Sequence, residues 1–280
     1  MRNPEDGEIN LNLCFRDYSD AVEHQAKPLV IPLCAELPVP ALSPPALFSR
    51  LHHATGFLLE SMEGSEKIAR YSYIGFDPEL LISFGSSIHR EGKEPCLSIS
   101  QSLDGANAIE MVKSLLQRFT FINIRAPRFF GGLVGYFSYD LAYSLYDPVL
   151  KTRKSPADFP VAQFMLVKDC IVLDQVAQKL FIFSSPLLQY ESDIREEYEQ
   201  SRERIHQMAD TITKNGESDI RTPSVSRFPH KHTENMSKEK FCHTVEQVKE
   251  YIRAGDIFQA VVSRRIDLDL DIDPFSVYCA

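Results

Sequence analysis

Three groups of polar residues carry the chemical promise of this chain. Residues 251–266 read Tyr-Ile-Arg-Ala-Gly-Asp-Ile-Phe-Gln-Ala-Val-Val-Ser-Arg-Arg-Ile, which sets Gln259, Ser263, Arg264 and Arg265 on or beside a β-prone run. Arginine offers a planar fork of donors that matches a carboxylate, so this group suits an anionic small molecule. Just beyond it, Asp267, Asp269, Asp271 and Asp273 invite a calcium loop. Such a loop begun at Asp267 would need glycine at position 272 and glutamate at 278, and the chain has Ile272 and Tyr278. The four aspartates read instead as the wet face of a strand whose dry face is Ile266, Leu268, Leu270 and Ile272. The third group, Glu60, Ser61 and Arg70, brackets a polar connection, and spacing alone makes these residues the solvated ends of two hairpin strands. Histidine adds little. His52 and His53 are adjacent on a short helix and point apart, and His230 and His232 have no carboxylate or cysteine at ligand spacing.

Local pattern predicts the elements that must hold these groups. Phe241, Val245, Val248 and Ile252 recur at spacings of four, three and four, which predicts a helix over 237–254 with Ser237 as its cap. Gly255 is placed to turn the chain out of it, and residues 257–263 are predicted to follow as a strand. The apolar run 56–61, ending in Glu-Ser, predicts a buried strand that emerges at a rim, with 70–76 as its partner. Ser43-Pro44-Pro45 is a helix start that puts Leu47, Leu51 and Ala54 on one face. Further strands are predicted over 79–89, 164–173 and 179–183, the last two joined by a hairpin at 174–178. Helices are predicted over 108–119 and 192–213. In 129–140, three glycines among aromatic residues predict a strand that another backbone approaches closely; the Gly-Lys-Ser or Gly-Lys-Thr ending of a phosphate loop is missing. Before residue 43, five prolines support extended segments and an edge strand near 29–33 at most.

Three of these stretches resemble one family. The run 254–265, Ala-Gly-Asp-Ile-Phe-Gln-Ala-Val-Val-Ser-Arg-Arg, resembles the opening of the chorismate-binding region in the anthranilate synthase component I family of chorismate-utilising enzymes. Leu-Leu-Glu-Ser at 58–61, followed by Arg-Tyr-Ser-Tyr-Ile-Gly at 70–75, resembles that family's tryptophan effector site. The Gly-Gly-x-x-Gly-Tyr-x-x-Tyr-Asp run at 131–140 is similar to the family as well. The resemblance implies an α+β fold of large antiparallel β-sheets flanked by helices, incomplete here, because family members continue for about one further domain-sized block. It implies three parts: a regulatory and scaffold region over 1–213 holding the tryptophan site, a Ser, Thr and Pro-rich linker over 214–236, and the start of the chorismate-binding catalytic region over 237–280.

The resemblance also implies roles. Water-adding relatives carry a lysine base where this chain has Gln259. A neutral amide cannot deprotonate water near pH 7, which favours ammonia as the nucleophile. Glu60 would pair with the effector's ammonium group, Ser61 would hydrogen-bond beside it, and Arg70 would face its carboxylate. The expected activity is conversion of chorismate and ammonia to anthranilate and pyruvate, the first step of tryptophan biosynthesis, under tryptophan feedback. A glutamine amidotransferase subunit would supply the ammonia, and magnesium ligands would lie beyond this chain. The alternatives are aminodeoxychorismate synthase component I and a non-catalytic fragment that binds an amino acid or a partner.

Composition bounds the rest. Two hundred and eighty residues at 44% hydrophobic can bury a large core. A net charge of -9 without a basic stripe argues against nucleic acid or an anionic membrane as partner. No leader-like apolar stretch opens the sequence and no later run approaches a membrane span, so a cytoplasmic protein is expected. Cys14, Cys34, Cys96, Cys170, Cys242 and Cys279 contain no Cys-x-x-Cys pair and read as free thiols. Asp273-Pro274 starts a helix that has barely one turn before Ala280, so the chain is expected to continue in a longer protein.

Overall fold

The structure is a computed structural model that describes residues 9–51, 55–61, 70–103, 107–122, 127, 129–142, 159–214, 232–268 and 273–279. Contacts divide the chain into two compact units, Met1–Asp219 and Ile220–Ala280.

In the first unit, strand β10 (Asp169–Asp174) is buried at every position because both faces of its sheet are covered. It lies at the centre of a five-stranded antiparallel sheet, in the order β2 (Leu33–Pro38), β11 (Lys179–Ser184), β10, β4 (Tyr71–Phe76) and β3 (Gly56–Leu59). Successive side chains of a strand point to opposite faces. Ile171 and Leu173 therefore join Ile74, Phe76, Leu180 and Ile182 under helices α1 (Phe15–Val22) and α2 (Pro44–Leu51) and the long helix over Ile194–Thr213. Cys170 and Val172 join Cys34 and Phe183 on the other face, beneath Phe129 and Phe130.

A four-stranded antiparallel sheet, in the order β6 (Ile88–Gly92), β5 (Leu80–Phe84), β9 (Ala162–Val167) and β8 (Gly132–Phe137), packs on α3 (Cys96–Gln101) and α4 (Ala108–Leu116). The short strands β1 (Leu29–Val30), β7 (Thr120–Phe121) and β12 (Leu187–Leu188) form a third sheet with β1 in the middle. The helix over Ile194–Thr213, α5, is capped by the Asp193 carboxylate, which accepts from the backbone N–H groups of Arg195 and Glu196.

In the second unit, β13 (His232–Glu234) pairs with β14 (Ile266–Leu268), and α6 (Lys238–Ala254) lies between them in sequence. Both ends of α6 follow from sequence. The Ser237 hydroxyl accepts from Lys240 N–H at 3.3 Å. Gly255 takes φ +81°, and the N–H groups of Gly255 and Asp256 close onto the carbonyls of Ile252 and Tyr251 at 3.1 and 3.0 Å. Helix α7 (Pro274–Cys279) starts at Asp273, whose carboxylate accepts from Ser276 N–H at 2.9 Å. The stretch read as a linker over 214–236 ends in β13, and its residues 215–231 lie outside the described ones, as do His52, His53, Ala54 and residues 269–272.

The mixed α+β fold with antiparallel sheets and helices is as expected, and four local readings need correction. The predicted strand 164–173 is two strands in different sheets: Val167 pairs with Gly132 and Asp169 with Ser184, so the chain changes sheets at Lys168. The predicted strand 79–89 is the hairpin β5–β6, because Gly85-Ser86-Ser87 supplies a tight turn closed by Gly85 N–H on Ser87 O at 3.1 Å. The proline-rich start contains a helix, α1, whose Tyr18 and Val22 are buried while Phe15 meets Tyr198 edge to face. Residues 257–263 form no strand: no ladder pairs with them among the described residues, Phe258 is fully exposed and Val261 is 82% exposed. β-prone residues extend stably only against a partner, and these have none to pack on.

Candidate functional site

The β3–β4 pair brings the predicted effector residues to one end of the five-stranded sheet. Its register sets Phe57 opposite Gly75 and Leu59 opposite Tyr73, and Gly75 has no room for a Cβ because the Phe57 ring already lies 2.2 Å from where it would stand. Glu60 and Ser61 follow the last rung of β3, and Arg70 directly precedes the first residue of β4. Carried two positions further, the same register would set Ser61 beside Tyr71. Consecutive residues of an extended chain point to opposite faces, so Glu60 and Ser61 can serve one ligand only where the chain leaves the ladder. They lie there. Both are half-buried, and the connection 62–69 is outside the described residues.

An aromatic surface adjoins this end of the sheet. Phe129 stands edge-on to Tyr73 at 5.5 Å and to Phe57 at 6.2 Å, and Tyr71 lies 6.0 Å from Tyr73. Leu59 on the same row is 51% exposed. An apolar surface beside a carboxylate, a hydroxyl and a guanidinium suits an amino acid with a large side chain.

Arg70 has a partner that sequence reasoning missed. Its Nε donates to both carboxylate oxygens of Asp174 at 3.0 Å, and Nη2 donates to Oδ2 at 2.6 Å. Asp174 ends β10 and opens the turn to β11, where its Oδ1 also accepts from Val176 and Ala177 N–H at 3.2 and 2.9 Å. The Arg70 hydrogen bonds, followed by the turn's backbone donors, hold the Asp174 carboxyl below the usual carboxylate range. The guanidinium lies 4.9 Å from the Tyr71 ring centre. Two of its three nitrogens are thus committed to fastening β4 to the β10–β11 hairpin, and among the described residues Nη1 has no hydrogen-bond partner. The signal for Asp174 was its place at the head of a tight turn, but only the register shows that Arg70 lies beside it.

Gln259 belongs to the second unit, on the irregular segment between α6 and β14, and its side chain is exposed. Arg264 and Arg265 on the same segment already have partners. Arg264 meets Glu234 at 3.4 Å and Arg265 meets Asp267 at 3.0 Å, while the Asn235 side chain accepts from Arg265 N–H at 2.9 Å. For magnesium, no group of three or more His, Cys, Asp or Glu side chains converges among the described residues, so these residues do not fit the ion and no step is assigned to it. Among the described residues no helix is long and apolar enough to cross a membrane.

Residues 56–280 match a family described as chorismate binding enzyme. The chain is similar to anthranilate synthase component 1 of Acetivibrio thermocellus, at 34% identity over 270 residues, which is 93% of this chain and 53% of the relative. It is similar to the protein of the same name from Aquifex aeolicus (strain VF5) at 29% identity over 273 residues, covering 96% of this chain and 53% of the relative. A solved structure of anthranilate synthase component I from Streptococcus pneumoniae TIGR4 aligns with a TM-score of 0.49 at 21% identity, over 85% of this chain and 49% of that one. The chain spans about half the length of the curated relatives it matches.

Proposed function

The chain belongs to the chorismate binding enzyme family, and from that premise we propose that it is part of an anthranilate synthase component 1. The observation that carries the reading is the similarity of almost the whole chain to proteins of that name. In the proposed reaction ammonia adds to the chorismate ring as the C4 hydroxyl leaves with a proton as water, and loss of pyruvate then gives anthranilate. A glutamine amidotransferase subunit supplies the ammonia, and the product feeds tryptophan biosynthesis.

Gln259 fits the choice of nucleophile. Its amide has no basic lone pair near pH 7, so it leaves water unactivated, whereas ammonia brings its own lone pair. Magnesium would neutralise the substrate's carboxylates, a role assigned to no residue of this chain. Because the relatives are about twice as long, the chain by itself is proposed to be inactive.

The end of the β3–β4 pair is the proposed tryptophan site. Glu60 would pair with the ammonium group, Ser61 would hydrogen-bond beside it, and Nη1 of Arg70 would reach the carboxylate, with the Tyr73 and Phe129 side accepting the indole. The test is an intact subunit carrying these residues, given chorismate, an ammonium salt and magnesium. Blue-fluorescent anthranilate is expected. Accumulation of aminodeoxychorismate without release of pyruvate would replace the proposal with an aminodeoxychorismate synthase.

A further inference from the structure

A cavity of ≈ 180 Å³ lies in the first unit; Glu60, Ser61 and Arg70 do not line it, and of the sequence motifs only the start of the 129–140 run reaches it, through Phe130, Gly131 and Gly132. The fold opens it where the chain changes sheets. Leu166, Val167 and Lys168 form one wall, the start of α3 another, and the first two turns of α5 close the side with Glu197 and Gln200. The rings of Phe119, Phe121 and Phe130 and the side chain of Leu187 give it an apolar interior, and Phe121 is 44% exposed. Gly131 keeps one wall thin: its φ is +129°, and a Cβ there would stand 2.9 Å from the carbonyl oxygen of Val167.

The charges around this interior do not balance. Three carboxylates, those of Glu79, Glu94 and Glu197, line it against the single ammonium of Lys168. Glu79 is already satisfied, since one of its oxygens meets Lys93 at 3.0 Å and Lys168 at 3.3 Å. Glu94 is exposed and accepts from Ser98 N–H at 3.3 Å. The half-buried Glu197 carboxylate takes part in no hydrogen bond or ion pair among the described residues. Burial pushes its carboxyl above the usual range, Lys168 draws it back, and Glu196 and Glu79 push it up again. The buried Cys96 thiol adds no charge, since burial pushes it up to about 12.

We infer that this cavity binds a small organic cation, a primary ammonium on a ring-sized apolar body, with Glu197 as its counter-charge. A half-desolvated carboxylate that makes no hydrogen bond or ion pair among the described residues gains most from a donor that brings a positive charge. The volume is slightly above that of an engineered apolar cavity that takes benzene, about 150 Å³, which leaves room for one ring and a short stem. Aromatic walls favour a cationic guest over an anionic one, and the excess of carboxylates repels an anion. The site is independent of the chorismate reading.

Calorimetry on the full 280-residue chain tests it with 2-phenylethylamine, its neutral counterpart 2-phenylethanol, and phenylalanine. The amine is expected to bind about tenfold or more tighter than the alcohol. Glu197→Gln, which keeps the shape of the side chain, should remove that preference, and Glu196→Gln on the exposed side of the same turn should keep it. Amide resonances of Phe121 and Leu187 should move with the amine. No binding of the amine, equal binding of amine and alcohol, an unaltered preference in Glu197→Gln, or tighter binding of zwitterionic phenylalanine would each overturn the assignment.

Discussion

Arg204 donates from Nε to Oδ2 of Asp169 at 2.9 Å, joining the middle of α5 to the residue at which the chain enters the five-stranded sheet. The same guanidinium donates from Nη2 to Asp77 at 2.7 Å, and the other oxygen of Asp169 accepts from the Ser184 hydroxyl at 2.7 Å. One side chain thus ties a helix to the central strand and to the turn after β4. Asp169 has a side chain only 3% exposed, so it depends on these donors.

Arg204→Ala should therefore cost roughly 3 kcal/mol, the scale for leaving one member of a buried ion pair behind. Arg204→Lys should recover less than half of that, because a point charge cannot donate to Asp169 and Asp77 with fork geometry. Urea unfolding midpoints check both. An alanine variant within about 0.5 kcal/mol of the parent would mean that the network only decorates a fold held by its apolar core.

Asp174 gives a pH prediction. Its folded carboxyl titrates below the unfolded value of about 3.9, so the group stabilises the fold above that pH and loses its contribution as pH falls through the lowered folded value. Asp174→Asn removes the charge that Arg70 uses and puts an NH2 group near donors. The variant should be less stable at pH 7 by about 1–3 kcal/mol and should show a flatter fall in stability below about pH 4. Parallel acid-unfolding curves for parent and variant would remove Asp174 from the pH dependence.

Much of this was readable in advance where the signal was local. Ser237 and Gly255 bound α6 because a hydroxyl cap and a left-handed exit act within four residues. Gly131 and Gly135 announced a close backbone, because a Cβ at either would stand within 3 Å of a carbonyl oxygen on the neighbouring strand. Changes of partner were not readable. The charged pair Lys168-Asp169 interrupts the apolar run 164–173, but nothing local says that its two β-prone halves join different sheets. The segment 257–263 failed in the opposite way: its residues favour a strand, but a strand exists only if another edge arrives to pair with it. The same holds for the candidate sites. Glu60, Ser61 and Arg70 could be picked out by motif, whereas the commitment of Arg70 to Asp174 and the lack of a hydrogen bond or ion pair for Glu197 among the described residues are tertiary facts.

Gly135 and Gly132, both on β8, separate two reasons for glycine. A Cβ on Gly135 would stand 1.9 Å from the Gln163 carbonyl oxygen on β9, and backbone cannot yield as a side chain end can. Gly132 has nothing within 4 Å of its Cβ position but holds φ +123°. Gly135→Ala should cost about 3 kcal/mol or more by forcing β8 from β9, and Gly132→Ala about 1–2 kcal/mol from backbone strain alone. Hydrogen exchange distinguishes them: only the first should lose protection along the β8–β9 ladder. Similar losses in both would show that the strands part easily and that the contact at Gly135 is not what fixes them.

Ser61 tests the proposed effector site through size. It follows Leu59 by two residues at the end of β3, where the register would set it beside Tyr71, so a phenyl ring in its place would fill the space proposed for the ligand's amino-acid end. In an intact subunit, Ser61→Phe should raise the tryptophan concentration for half-inhibition by about tenfold or more, a loss of ~1.4 kcal/mol in effector binding. Each inhibition curve is taken relative to that protein's own uninhibited rate of anthranilate release, so a change in turnover does not mimic a change in effector affinity. Asp174→Ala should have a smaller effect of the opposite sign, because releasing the Arg70 fork frees two more nitrogens for the ligand's carboxylate. Coincident curves for Ser61→Phe and parent would exclude Ser61 from the site. A weakened response in Asp174→Ala would mean that Arg70 serves the effector only while Asp174 holds it in place.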